Sequence, residues 1–194
     1  MAGQIEIKES DALIAVDVQN DFIPGGSLAV KDGDQVVPVL NGLMDKFKTR
    51  VFTRDWHPEG HVSFSGAPEF SDLSWPRHCV QNTPGGEFHA CLNVPKDAII
   101  VSKGAVKEQE AYSGFQGTGL AQGLKARGVK RVFVGGLATD YCVKATVLDA
   151  LKNGFEAALI EDAARGVDIP PGTARAAVEQ MRNAGAEIVR STDF

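Results

Sequence analysis

The sequence is poor in cysteine and contains no long apolar run. Its three cysteines are an odd number and too few for a disulfide framework, so we expect the reduced thiols typical of a cytoplasmic protein. No stretch of 18 apolar residues occurs that could form a membrane helix, and the first residues lack the apolar segment of a secretion signal. We therefore expect a cytoplasmic protein that does not associate with membranes.

The chain also lacks an excess of positive charge and the glycine motifs of nucleotide-binding folds. Its formal net charge is -5, which provides no basic surface to attract nucleic acid. The first apolar run continues into DVQNDF, where a dinucleotide fold requires G-x-G-x-x-G, and no G-x-x-x-x-G-K-[ST] occurs. A small molecule is the expected partner, and association into a homo-oligomer is left open.

Short apolar segments alternate with segments of helical spacing along the chain. The apolar segments are rich in Val, Ile and Ala without strict polar alternation, which is typical of parallel strands covered by helices on both faces. The expected strands are 12–16, 50–53, 98–102, 131–136, 156–160 and 186–191, and the expected helices are 34–49, 117–128, 139–154 and 171–185. This repetition predicts a three-layer α/β/α fold with a doubly wound sheet, in a single domain spanning 1–194.

Residues 55–97 break this repetition. They contain all four histidines, both tryptophans and three phenylalanines, and they show no long helical pattern. A segment of this length without secondary structure is uncommon in a compact domain unless it is functional or disordered. The concentration of imidazole and aromatic side chains favours a functional loop.

Polar residues follow the expected strands, at the edge of the sheet where open parallel sheets bind ligands. Asp17 follows the first strand, Lys103 follows the third, and Cys142 lies shortly after the fourth. A helix capped by Thr139 or Asp140 would place Cys142 in its first turn, where the helix dipole lowers a thiol pKa. A buried thiolate also needs a compensating cation, which Lys103 can supply. We therefore predict a nucleophilic cysteine at this edge.

The second expected strand ends in an Asp-x-His pair. Asp55 and His57 lie on one face of an extended segment because side chains two residues apart point the same way. Both can bind a divalent metal, but a third ligand must come from the loop, and the spacing does not choose among its histidines. The candidates for this third ligand are His61, His78 and His89. A loop without metal, in which the histidines bond the backbone, is the alternative.

A structural zinc site is a further alternative for the same loop. It would use two histidines and two cysteines, but their spacing matches no common zinc-ligand pattern. The four residues are His78, Cys79, His89 and Cys91. Without such a site, both loop cysteines are expected to be structural.

Five segments of the chain resemble the isochorismatase-like cysteine hydrolases and, within that family, the nicotinamidases, also called pyrazinamidases. They are VDVQNDFIPGGSLAV (16–30), TRDWHPEGHVSF (53–64), SWPRHCVQNTPGGEFH (74–89), VSKG (101–104) and GGLATDYCVKAT (135–146). The resemblance implies a six-stranded parallel sheet of order 3-2-1-4-5-6. It also implies hydrolysis of nicotinamide, and of pyrazinamide, to the acid and ammonia through a cysteine thioester in NAD salvage.

The resemblance assigns a role to each residue at the sheet edge. Asp17 is implied to be the general base, Lys103 the neighbouring cation and Cys142 the nucleophile. The Leu137–Ala138 peptide resembles the cis bond of the family, and the N–H groups of Ala138 and Cys142 are implied to form an oxyanion hole.

The resemblance also selects metal ligands and substrate contacts. Asp55, His57 and His78 are implied to bind one divalent metal, with zinc first and iron or manganese as alternatives. His61 is a possible fourth ligand, because some relatives recruit one from this loop, although its offset is two residues shorter than theirs. Two aromatic residues are implied to enclose the pyridine ring: Phe22 and Trp75.

Two other functions fit parts of the sequence. A metal-free relative could use the same three catalytic residues on an N-carbamoyl or ureido compound, and metal content would separate it from a nicotinamidase. A non-catalytic α/β module could use the same crevice to bind a small ligand, and it would not need a reactive thiol.

Overall fold

The computed structural model describes residues 4–70 and 72–194, and a parallel sheet lies at its centre. Within those residues the sheet has six strands, and every neighbouring pair is parallel. The strands are β1 (Asp11–Val16), β2 (Thr49–Asp55), β3 (Ile99–Lys103), β4 (Arg131–Leu137), β5 (Glu156–Arg165) and β6 (Glu187–Val189). Their order, β3-β2-β1-β4-β5-β6, confirms the expected doubly wound topology.

Helices cover both faces of this sheet. The helices are α1 (Val36–Leu43), α2 (Leu120–Ala126), α3 (Lys144–Lys152) and α4 (Thr173–Asn183). The apolar side of α1 packs in one buried cluster, whereas the apolar residues of α2, α3 and α4 join a second cluster on the other face. All six residues of β1 are buried. Their side chains point alternately to the two faces of the sheet, and helices cover both faces.

All four helices are shorter than the sequence pattern predicts, and the two largest differences are in α1 and α3. The segment expected to be helical over 34–49 contains α1 flanked by 3₁₀ turns at Gly33–Gln35 and Met44–Lys46. In the segment 139–154, the residues Thr139–Val143 form a π turn and α3 begins only at Lys144. Both differences lie at helix ends, where wider or tighter turns replace regular α-helical bonding.

The long connection between β2 and β3 folds back over the carboxyl edge of the sheet. A 3₁₀ turn at Pro84–Gly86 and isolated bridges between His57 and Val80 and between Phe64 and Trp75 give it local order. Over the part of the chain that the structure describes, no helix is long and apolar enough to cross a bilayer.

Candidate active site

The side chain of Lys103 connects the three predicted catalytic residues. Lys103 is the last residue of β3 and is 2% exposed. Its Nζ lies 2.8 Å from Asp17 Oδ2, 2.5 Å from Asp55 Oδ1 and 3.3 Å from Cys142 Sγ. The parallel register explains this meeting, because it places the ends of β1, β2, β3 and β4 at one edge. Asp17, Lys103 and Cys142 therefore form one buried cluster.

The charges in this cluster are set by burial and by mutual attraction. Burial raises the pKa of Asp17, and Lys103 opposes this without cancelling it. Burial also acts to raise the pKa of Asp55, but Lys103 and His57 outweigh it and hold that pKa below its usual range. Burial acts to lower the pKa of Lys103, yet the charges of Asp17 and Asp55 hold it well above its usual value. Lys103 thus remains a cation, and Asp17 is the carboxylate with raised proton affinity.

Asp17 has one oxygen fixed and one available. The Thr53 hydroxyl donates to Asp17 Oδ1 at 2.6 Å, and no sequence pattern predicts this contact. Asp17 Oδ2 is buried and forms an ion pair with Lys103, but it accepts no hydrogen bond of good geometry from the described residues. A carboxylate oxygen of Asp17 lies within 4.8 Å of Cys142 Sγ, so Asp17 is close enough to act on the thiol proton.

The setting of Cys142 differs from the predicted first turn of a helix. Cys142 lies in the π turn before α3, and Thr139 and Asp140 provide no side-chain cap there. Burial raises the thiol pKa well above its usual value, and Asp17 and Asp55 add to this against the opposing effect of Lys103. The expected lowering of the pKa is therefore wrong, because two carboxylates and burial outweigh one cation. The resting thiol is protonated and needs a base.

The turn that carries Cys142 is organised by Ala138. The N–H groups of Tyr141 and Val143 both donate to the Ala138 carbonyl oxygen, at 3.0 and 3.1 Å. The Leu137–Ala138 peptide is cis, as the resemblance implied. Ala138 and Cys142 both line the same pocket.

The three predicted metal ligands lie together beside this cluster. Asp55 Oδ2 is 3.7 Å from His57 Nε2 and 3.9 Å from His78 Nε2, and all three side chains are buried. Ligands of a tetrahedral zinc ion lie about 3.4 Å apart, so this spacing is close to that of a metal site. His57 Nδ1–H donates to the Gly104 carbonyl and His78 Nδ1–H to the Pro76 carbonyl, which leaves both Nε2 atoms free to bind. This donor set fits a divalent metal.

The backbone of Asp55 is held by a side chain that sequence reasoning missed. Gln19 is fully buried; its amide donates to the carbonyls of Asp55 and Gly86 and accepts from the Asp55 N–H, at 2.7 to 2.8 Å. Its position two residues after Asp17, in VDVQNDF, is the signal that could have identified it. Gln19 therefore fixes the metal-binding strand end to the loop.

His61 does not join the other three candidate ligands. Its Nε2 lies 3.1 Å from the Gln109 carbonyl and its Nδ1 2.8 Å from the Ser63 hydroxyl, so both ring nitrogens have partners. Its donor atoms lie near those of His57 and Glu110 instead.

The alternative zinc site receives no support from the described residues. Among them, His89, Cys79 and Cys91 form no mutually close ligand group with His78, which lies with Asp55 instead. Cys79 is buried and Cys91 is exposed, so the two thiols lie in different surroundings.

A pocket that is partly open to solvent reaches Cys142 and the candidate metal ligands. Phe22 and Trp75, the two predicted ring contacts, line it, as do several residues that were not predicted. The Trp75 indole N–H donates to the Tyr112 hydroxyl at 3.0 Å, and the Trp75 ring meets Tyr141 edge to face. The lining residues missed from the sequence are Leu28, Val30, Glu110, Tyr112, Tyr141 and Val167.

The fold and the site together define a doubly wound α/β protein with a buried Asp–Lys–Cys cluster beside a metal-binding group. The chain belongs to the isochorismatase family, since the Isochorismatase domain matches residues 11–193.

Individual relatives of known name cover nearly the whole chain. A nicotinamidase/pyrazinamidase from Mycobacterium tuberculosis is 42% identical over 189 residues, which are 93% of this chain and 99% of that protein. The crystal structure of the pyrazinamidase of Pyrococcus horikoshii in complex with zinc is similar with a TM-score of 0.84 and 50% identity, covering 93% of this chain and 99% of that one. PnC1 from L. infantum in complex with nicotinate gives a TM-score of 0.89 and 37% identity, with 98% of both chains covered.

Proposed function

We propose that this protein is an amidase that hydrolyses nicotinamide to nicotinate and ammonia, acts also on pyrazinamide, and serves NAD salvage in the cytoplasm as a single domain spanning 1–194. One observation carries the proposal. Lys103 Nζ lies within 3.3 Å of Asp17, Asp55 and Cys142, and so joins a thiol, a base and a metal-binding carboxylate in one site. The names of the relatives, nicotinamidase and pyrazinamidase, support a ring amide as substrate.

The first half of the reaction forms a thioester. Asp17 takes the thiol proton of Cys142, and the sulfur attacks the amide carbon. Lys103 offsets the repulsion between the carboxylate and the developing thiolate. The N–H groups of Ala138 and Cys142 stabilise the oxyanion, and each such donor contributes about 3 kcal/mol in comparable sites. Asp17 returns the proton to the leaving nitrogen as the C–N bond breaks and ammonia departs.

The second half releases the acid. Asp17, again ionised, takes a proton from water, and the resulting hydroxide equivalent attacks the thioester carbon. The C–S bond breaks, the proton returns to the sulfur of Cys142, and the acid leaves and releases its own proton to water to give nicotinate. The same base therefore acts in both halves, which agrees with its raised proton affinity.

Asp55, His57 and His78 would hold the metal, with zinc as the first choice and iron or manganese as ions that the same donors accept. When bound, the ion supplies an anchor for the ring nitrogen, directly or through a water molecule. His61 would join only after releasing Gln109, so we propose three protein ligands. Two residues would enclose the ring and place its amide over the thiol: Phe22 and Trp75.

An ammonia-release assay tests the proposal. Purified protein should release ammonia from nicotinamide and pyrazinamide, lose this activity with a chelator, and ignore N-carbamoyl amino acids. Cys142→Ala should be inactive, whereas Cys91→Ala, which removes the exposed thiol, should match the wild type. Metal-loaded wild-type protein that releases no ammonia from either ring amide would refute the proposal.

A further inference from the structure

A further buried carboxylate, that of Asp140, lies in the turn that carries Cys142, and the mechanism above does not use it. Asp140 is 4% exposed and two residues from the nucleophile. Its Oδ1 accepts the Val167 N–H at 2.9 Å, and its Oδ2 accepts the Asp168 N–H at 2.9 Å and the Thr173 hydroxyl at 2.8 Å. The carboxylate therefore fastens the connection between β5 and α4 to the catalytic turn.

This connection supplies part of the pocket wall. Val167 lines the pocket with Tyr141 and Cys142, whereas Ile169, two residues further, is 52% exposed. The connection packs closely on the carboxylate: a Cβ placed on Gly166 would lie 3.2 Å from Asp140 Oδ1. The Asp140 side chain thus links Val167 of the pocket wall to the turn that carries Cys142.

We propose that Asp140 is a positioning residue that holds the Val167 wall at a fixed distance from Cys142 and so determines how tightly the ring of the substrate is bound. A carboxylate is required, because both of its oxygens accept a backbone N–H. In either orientation, an asparagine would direct its NH₂ group against the N–H of Val167 or of Asp168. The inference rests on the proposed amide hydrolysis and adds a residue that shapes its substrate pocket.

Two variants and a matched control test this role. Asp140→Asn removes an acceptor, and Thr173→Val removes one donor without altering the catalytic turn. The control is Asp162→Asn, since Asp162 also accepts an N–H and a hydroxyl from a distant residue, Ser191, but does not line the pocket. KM and kcat for nicotinamide would be measured per folded molecule, with the folded fraction taken from thermal unfolding followed by circular dichroism.

Because a hydrogen bond to a charged group is lost, we expect Asp140→Asn to raise KM about tenfold with kcat per folded molecule nearly unchanged. Thr173→Val should raise KM by a smaller factor, and Asp162→Asn should leave it at the wild-type value. An unchanged KM in Asp140→Asn overturns the inference. If that variant does not fold, an unchanged KM in Thr173→Val does so.

An equal rise of KM in Asp162→Asn would also overturn the inference, because the effect would then be a general result of losing a carboxylate that joins two segments of the chain. The two proposals fail in different ways. Wild-type protein that releases no ammonia refutes the proposed function, whereas an active wild type with unchanged KM in both variants refutes only the role of Asp140.

Discussion

Replacing Lys103 with methionine tests the electrostatic centre of the site. The change keeps an unbranched side chain of similar length but removes the cation between Asp17 and Asp55. Both carboxylates would stay buried without their partner, and breaking a buried ion pair on one side costs about 3–5 kcal/mol. A domain of this size loses roughly 2–4 °C of melting temperature per kcal/mol, so Tm should fall by about 6–20 °C.

Thermal unfolding of metal-free protein, followed by circular dichroism, measures this effect. Lys152→Met is the matched control, since that lysine is exposed and its loss should change stability by less than ~0.5 kcal/mol. Adding Asp17→Asn to Lys103→Met should recover part of the loss, because one unpaired charge disappears. Equal melting temperatures for Lys103→Met and Lys152→Met would show that the Lys103 ammonium does not stabilise the two buried carboxylates.

The pH dependence of the same variant has a defined sign. Without the lysine, burial and the neighbouring Asp55 hold the folded-state pKa of Asp17 above its unfolded value. The loss of folding stability in the variant is therefore complete at pH values above the folded-state pKa. It disappears as pH falls toward about 4, where the carboxyl is protonated in the unfolded state as well. The gap in stability between variant and wild type should narrow as the buffer is acidified from neutral pH.

Three other substitutions test the residues around the site. Gln19→Leu leaves the backbone groups of Asp55 without partners and should weaken metal binding about 10- to 100-fold, measured by competition with a chromogenic chelator. Gly104→Ala would place a Cβ 2.5 Å from a ring carbon of His57 at a φ of +59°, so metal content by elemental analysis should fall well below that of a Gly119→Ala control, whose Cβ meets no atom within 4 Å. Thr53→Val removes a hydrogen bond to the proposed base, which raises the pKa of that carboxyl. The acidic limb of the kcat/KM profile should therefore move to higher pH, and an unmoved limb would argue against that carboxyl as the base.

The sheet was predictable because its central strands, β1 and β4, are buried on both faces. Such strands appear as apolar runs separated by helical segments, and this repetition predicts the doubly wound class, whereas the strand order was implied by the family resemblance. The ends of the strands were less predictable. β5 extends to Arg165, five residues beyond its expected end, and its pairing with β4 shifts register between Val134 and Gly136 of β4. The π turn at Thr139–Val143 was predicted as part of the α-helix, because it continues directly into α3 and its residues do not distinguish the two kinds of turn.

The site was predictable where function falls on a strand end and less so elsewhere. Asp17, Lys103 and the Asp55–His57 pair end their strands, so parallel topology alone brings them together. Pocket residues such as Tyr112 and Val167 lie in connections, where no periodicity fixes the direction of a side chain. The thiol pKa was wrongly predicted because the sequence does not show how many carboxylates face Cys142.

The position of Lys103 on β3 has a consequence for folding. β3 is an edge strand that pairs only with β2 within the described sheet, in a register that sets Lys103 opposite Asp55. A slip of one residue would turn every side chain of β3 to the opposite face, and the ammonium would leave the cluster while the rest of the sheet remained intact. Such a molecule would be compact but inactive. Catalytic activity per folded molecule therefore measures how accurately this edge strand has paired.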